Sequence, residues 1–260
     1  MRQRRRRTTA VFAGLILAGC AIGGCAAAPP GAPTSDPRTV SPPASDAGAT
    51  PAPPSPSTSS APTGRWRVAD GIRTITEGLA APWAVAELPD GALAVSERDS
   101  GVIRVVGTDG SLSELGRIAG VVSGGESGLH GLAVLEEGDR QWLYAYHGAA
   151  DDNRVVRATV DSTADGPRLG AVETVVTGIP RANTHNGGRI AFGPDGMLYI
   201  ATGDAQNVGA AQDPAQLGGK ILRVTPDGRP APGNPFGTAV YSLGHRNVQG
   251  LAWTADGALW

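Results

Sequence analysis

The stretch Asn183 to Asp204 reads N-T-H-N-G-G-R-I-A-F-G-P-D-G-M-L-Y-I-A-T-G-D. Two short runs, Arg189 to Phe192 and Met197 to Thr202, flank Gly193-Pro194-Asp195-Gly196. Proline and glycine at those positions preset a tight reversal, so the spacing predicts a β-hairpin. In an antiparallel pair the start of the first strand lies beside the end of the second. His185 and Asp204 are therefore expected at the same end of the hairpin, where they can pair. A carboxylate that accepts a hydrogen bond from one ring nitrogen fixes the tautomer and leaves the other nitrogen free to take a proton. A packed or capped loop histidine fits the same residues. Gly187 and Gly188 permit close approach of backbone or ligand.

The same strand-turn-strand unit recurs on both sides. Trp83 to Leu88, Pro89-Asp90-Gly91 and Ala92 to Ser96 form one; Gly131 to Leu135, Glu137-Gly138-Asp139 and Trp142 to Tyr146 form another. Gly250 to Trp260, with Ala255-Asp256-Gly257 at its turn, begins a fourth. The units recur at roughly 50 to 60 residues, the scale of a four-stranded propeller blade. Short strands fill the gaps at Val102 to Val106, Arg154 to Ala158 and Lys220 to Val224, and helical periodicity is nearly absent. The chain is therefore expected to be all-β, with a β-propeller favoured and a sandwich as the alternative. A closed propeller needs about four to eight blades. These residues supply three and the start of another, so the sequence reads as truncated within a hairpin, leaving a strand edge exposed.

The chain opens with Arg2 and Arg4 to Arg7, an apolar run from Ala10 to Ala18, and Gly19-Cys20. This is the pattern of an export signal, too short for a permanent membrane span. Leu17-Ala18-Gly19-Cys20 resembles the lipobox of bacterial lipoproteins, which implies lipidation at Cys20 and anchoring at the extracytoplasmic face of a membrane. Ile22-Gly23-Gly24-Cys25 is a weaker second candidate. No cysteine follows Cys25, so the exported body has no disulfide framework. The organisation read from these patterns is a signal peptide at 1–19, an Ala/Pro/Ser/Thr tether at 20–64 and a folded body at 65–260. The tether composition cannot offset the entropy of ordering, and its prolines favour extended conformations. The formal net charge is -2, with several positive charges in the leader, so a nucleic-acid partner is not expected.

Five motifs occur in order across the body: Pro82-Trp83-Ala84-Val85; Gly125-Glu126-Ser127-Gly128-Leu129-His130-Gly131-Leu132-Ala133; His185-Asn186-Gly187-Gly188-Arg189 with Gly203-Asp204; Gly218-Gly219-Lys220-Ile221-Leu222-Arg223; and Leu243-Gly244-His245-Arg246-Asn247. Together they resemble the soluble, pyrroloquinoline quinone (PQQ)-dependent glucose/sorbosone dehydrogenases, also called aldose sugar dehydrogenases. The resemblance implies a six-bladed β-propeller of four-stranded blades, about the first half of which lies in this chain. It also implies oxidation of an aldose at C1 to its lactone, with electrons passing to an acceptor the sequence does not identify. His185 matches the general base that takes the C1 hydroxyl proton as the hydride moves to the quinone. Asp204 matches the carboxylate that orients that base.

Arg246 and Asn247 match the quinone contacts. A guanidinium suits a cofactor that carries carboxylates and develops negative charge on a quinone oxygen. Glu126 stands where some relatives have a glutamine near sugar and cofactor; its carboxylate either accepts sugar hydroxyls or caps the following turn. Val248 replaces the proline many relatives carry after Arg-Asn. His130, His147 and His245 have no carboxylate at a suggestive spacing and read as packing or hydrogen-bonding residues. Asp151-Asp152-Asn153 lacks the glycine and distal glutamate of a calcium loop and reads as a solvated turn. The resemblance implies a Ca2+ ion holding the quinone, with ligands expected beyond Trp260, so the 260-residue chain is expected to be inactive or poorly folded by itself. Two other readings stand beside this one: a calcium-dependent lactonase-like hydrolase, and a propeller binding module without catalysis.

Overall fold

A computed structural model of the chain describes residues 71–164 and 166–260. The expected export leader, Cys20, Cys25 and the expected tether lie outside the described residues.

The described chain is built from antiparallel sheets of short strands. The first contains β1 (Pro82–Glu87), β2 (Leu93–Glu97), β3 (Val102–Val106) and β4 (Leu112–Arg117), paired in sequence order. The second contains β5 (Leu129–Glu137), β6 (Arg140–Gly148) and β7 (Asn153–Thr163). Its outer position is shared, because the long β7 pairs with β8 (Gly166–Leu169) through Val160 to Thr163 and with β9 (Glu173–Ile179) through Asn153 to Arg157. The third contains β10 (Gly187–Phe192), β11 (Leu198–Thr202), β12 (Lys220–Val224) and β13 (Val240–Leu243), again in order, with the one-and-a-half-turn α1 (Val208–Gln212) between β11 and β12. These are three consecutive blades of a β-propeller, and their first strands β1, β5 and β10 lie beside one another.

One local device recurs among the reversals. In the turns starting at Leu88, Gly107, Gly193, Thr225 and Thr254, the fourth residue is a glycine whose N–H returns to the first residue's carbonyl. The first residue's own N–H then bonds the carbonyl of the fifth. This is a type I turn closed by a left-handed glycine, the three-residue hairpin connection. Asp90 and Asp195 reinforce it by accepting the N–H two residues on, at 3.0 and 3.1 Å. Residues 250–260 close the same turn, and Ala252 and Trp260 exchange both backbone bonds. Among the described residues only an isolated Trp253–Leu259 bridge forms there, and the segment lies largely exposed. The expected fourth hairpin is thus a paired turn without assigned strands.

Blade two is apolar on both faces, and its residues alternate with the strand period of two. Leu132, Leu143, Ala145 and Val156 face blade one, packing with Ala84, Ala94, Ile103 and Leu115. Ala133, Trp142, Tyr144, Tyr146 and Val155 face blade three, packing with Ile190, Leu198, Ile200 and Leu222. Burying each of the leucine, isoleucine and valine side chains contributes roughly 1.5–3 kcal/mol, which fixes the strand register because a slip of one residue would exchange the faces.

Candidate active site

The site grows from the open end of the β10–β11 hairpin. The pair is regular from Phe192↔Leu198 to Ile190↔Ile200, then slips before Gly187↔Thr202. That irregularity needs glycine: Gly187 has φ +64°, and a Cβ there would lie 2.6 Å from Ala201 O and Gly203 N. The slip carries the chain past Gly203 so that His185 and Asp204 meet, with His185 Nδ1 2.8 Å from Asp204 Oδ1. The hairpin geometry expected from the sequence places this pair correctly.

An ionised carboxylate only accepts, so His185 carries its proton on Nδ1 and presents Nε2 as a lone pair. Nε2 has no hydrogen-bond partner among the described residues, and the side chain keeps 18% of its surface open. Asp204 is buried, and its Oδ1 also accepts the Gln206 N–H at 2.9 Å. The carboxylate is thereby held in one orientation by the backbone as well as by the imidazole.

The surrounding backbone is strained. Among the described residues four non-glycines have positive φ, and three of them, His185 (+60°), Ala205 (+49°) and Gln206 (+64°), border this pair. Each left-handed L-residue costs about 1–2 kcal/mol. Hydrogen bonds from outside the hairpin offset that cost. The His185 N–H donates to Glu126 Oε2 at 2.6 Å, the His185 carbonyl accepts Ala205 N–H at 3.1 Å, and Asp204 N–H donates to Arg246 O at 2.8 Å. Strain of this kind, held by converging bonds, collects at functional sites.

Glu126 has a role that neither sequence alternative named. Its turn is already closed by backbone bonds between Gly124 and Ser127, so the side chain does not cap it. The carboxylate instead clamps the histidine loop, while Glu126 O accepts from His130 Nε2 at 2.7 Å and Glu126 N donates to Asn183 O at 2.8 Å. Asn186 secures the other side: it bonds Ala182 through both amide atoms, accepts from Asn153 Nδ2, and receives the Tyr146 hydroxyl on its carbonyl at 2.7 Å. His130 is stacked between Trp83 and Tyr146, and burial lowers its pKa from 6.5 to about 4. It is neutral at pH 7, with Nδ1 buried and unbonded. Burial likewise lowers His147 and His245, which bond Gly148 O and Ser242 Oγ. Asp152 pairs with Arg154 and accepts the Gly178 N–H, a turn brace.

Arg246 and Asn247 reach the pair through the backbone. Asn247 forms a bridge with Gly203, and its Oδ1 accepts the Gly187 N–H at 2.9 Å, leaving its amide N–H groups free to donate. The Arg246 side chain is exposed and makes no ion pair among the described residues. A cavity of about 210 Å³ opens beside this assembly, lined by Trp83, Arg98, Glu126, His130, Asn186 and Gln249 among others. Arg98 and Gln249 carried no signal in the sequence, since they fall beside the motifs and not within them. A larger hollow of about 420 Å³ at the opposite ends of β1 and β5, bounded by Glu87 and Glu136, holds no such constellation.

The glucose/sorbosone dehydrogenase family model matches residues 79–260, the whole propeller portion. The chain belongs to that family. A PQQ-bound aldose sugar dehydrogenase structure from Streptomyces coelicolor is 52% identical, with a TM-score of 0.70, over 72% of this chain and 57% of that one. A glucose dehydrogenase-like oxidoreductase from Thermus is 46% identical, with a TM-score of 0.64, over 72% and 58%. Among curated relatives, the Escherichia coli aldose sugar dehydrogenase YliI is 29% identical over 73% of this chain and 55% of its own length. Quinoprotein glucose dehydrogenase B of Acinetobacter calcoaceticus is 27% identical over 72% and 46%. The chain thus spans about half the length of the curated relatives it matches.

The residues present fit a polyanionic quinone. Arg246 is a cation without an ion-pair partner among the described residues, Asn247 offers amide donors once Gly187 has occupied its oxygen, and His185 Nε2 has an open lone pair.

Proposed function

We propose that the whole protein is a PQQ-dependent aldose sugar dehydrogenase in which His185 is the general base. The observation that carries this reading is the His185–Asp204 pair with its second ring nitrogen free, in a chain of the glucose/sorbosone dehydrogenase family. Arg246 and Asn247 would hold the cofactor, Arg246 by charge and Asn247 by its amide. When bound, the quinone supplies the acceptor for the two electrons and the hydrogen that leave the sugar C1.

The chain's own residues handle the proton. Nε2 of His185 takes it from the C1 hydroxyl as the C1–O bond gains double-bond character, giving the lactone from a cyclic aldose. The Asp204 carboxylate stabilises the imidazolium that results and keeps Nδ1 protonated throughout. Glu126 and Asn186 keep the loop from relaxing out of the left-handed conformation that aims the ring. Ca2+ would act with ligands outside this chain. The leader pattern supports export and anchoring through Cys20, with an unidentified electron acceptor taking the reducing equivalents.

The test uses the full-length protein without its leader, loaded with PQQ and Ca2+, in dye-reduction assays across a panel of aldoses. Quinone-dependent turnover that disappears in His185→Ala is the expected result. Absence of quinone binding and of turnover with every sugar would overturn the reading.

A further inference from the structure

Lys220 opens β12 and is completely buried. Its ammonium donates to three backbone oxygens, Ala210 O at 2.7 Å, Ala211 O at 3.1 Å and Gly218 O at 2.7 Å, and forms no ion pair among the described residues, with the Asp213 carboxylate acting on it from farther off. Three donors meet three acceptors, so the group is fully satisfied. Desolvating an ammonium whose direct contacts are all neutral oxygens is costly, and a lysine in this place calls for an explanation beyond packing.

The oxygens it gathers belong to the loop that connects the two halves of the site. Ala210 and Ala211 lie in α1, which follows directly on the strained Asp204-Ala205-Gln206 turn. Ala211 O accepts a second bond, from Gly244 N–H at 2.8 Å, at the head of the segment that carries Arg246 and Asn247. Gly219, next to Lys220, completes the junction: its N–H donates to Gly203 O at 2.8 Å and its carbonyl accepts His245 N–H at 3.0 Å. Gly219 has φ +65°, and a Cβ there would overlap His245 O. Thr202 Oγ1 accepts the Lys220 N–H at 2.9 Å, fixing the lysine to the end of β11. Removing the cation would leave three carbonyl dipoles converging on an apolar gap, and the loop would open to solvate them.

We propose that Lys220 is a positioning residue whose buried ammonium ties the Asp204 turn to the Gly244–Asn247 segment and so presets the anion-binding arm before any ligand arrives. The proposal rests on the reading of Arg246 and Asn247 as cofactor contacts. If the arm is competent in only about a tenth of molecules without the tie, apparent affinity for the quinone falls about tenfold. A lysine that merely filled space would alter global stability without that selective effect.

The experiment compares full-length wild type and Lys220→Met by hydrogen exchange without cofactor, and by PQQ titration in the presence of Ca2+. Exchange at 203–212 and 243–247 is expected to quicken by about tenfold or more while 190–200 stays as in wild type. The dissociation constant for PQQ is expected to rise by about tenfold. Unchanged exchange in both segments would overturn the proposal, as would faster exchange with wild-type PQQ affinity. Should Lys220→Met not fold, Lys220→Gln, which keeps two N–H donors, decides by the same criteria. Failure of the wild type to bind PQQ would sink the functional reading, and the tie between the two segments would then stand or fall on exchange alone.

Discussion

At one end of the β10–β11 hairpin, Gly193 to Gly196 forms a turn that appears in five places among the described residues, with a glycine at φ +73° and open space around it. At the other end, His185, Ala205 and Gln206 hold left-handed backbone without being glycine, and the bonds that secure them come from Glu126 and Arg246. The turn end closes on bonds within Gly193 to Met197, braced by Tyr199 and by Arg223 of the adjoining strand β12, both on Asp195. The site end is held from 40 to 60 residues away, which means its shape depends on blades two and three being docked together. Strain and tertiary support coincide at His185.

The largest effect is expected from breaking the site end chemically. In the full-length protein, His185→Ala should lower quinone-dependent sugar oxidation on the order of 10²- to 10⁴-fold, the usual contribution of a general base. Its thermal midpoint should fall only modestly, because alanine keeps the Cβ of a left-handed residue and loses the one side-chain bond to Asp204. Breaking the backbone contrast comes next. A Cβ at Gly203 would overlap the His185 carbonyl, whereas one at Gly196 meets nothing. Gly203→Ala should therefore destabilise by about 3 kcal/mol or more. Gly196→Ala should cost only about 1–2 kcal/mol, the left-handed penalty alone. Urea unfolding of the two variants measures the difference.

The buried histidine behind the site sharpens the comparison further. His130 has a folded pKa of about 4 against an ordinary 6.5, so its neutral form is favoured by the fold. Its contribution is complete above about pH 6.5 and is lost as pH falls toward 4, because the unfolded chain binds the proton first. The loss is on the order of 3 kcal/mol. Urea midpoints measured from pH 7 to 4 should show that slope in the wild type, and a shallower one in His130→Phe, which keeps a ring between Trp83 and Tyr146. The smallest effect separates the charge of Glu126 from its clamp. Glu126→Gln retains an acceptor for the His185 N–H and should keep near-wild-type stability, whereas Glu126→Ala should cost about 1–3 kcal/mol.

How legible each part was follows from the same contrast. Strands β3 and β12 coincide with the sequence reading at Val102–Val106 and Lys220–Val224, since apolar runs there abut Asp-Gly turns. The outer strands β4, β8 and β9 were not read because residues such as Ser113, Glu114 and Arg168 sit on an exposed edge and show no alternation. The helix α1, V-G-A-A-Q, is too short to display a period. The His185–Asp204 contact was legible because a hairpin links the two locally. The Asn247–Gly187 and Glu126–His185 bonds were not, since they join residues 60 and 59 apart and depend on how blades dock. The family motifs identified those residues without revealing what each one holds.

The central claim is that Asp204 keeps His185 as the Nδ1–H tautomer with Nε2 free to act as the base. Nitrogen-15 NMR of the imidazole in the full-length protein at neutral pH tests it directly, with Asp204→Asn as the comparison. Wild type should show a protonated Nδ1 and an unprotonated Nε2, with that preference weakened in Asp204→Asn. A wild-type signal with the proton on Nε2, or one unchanged by the substitution, would contradict it.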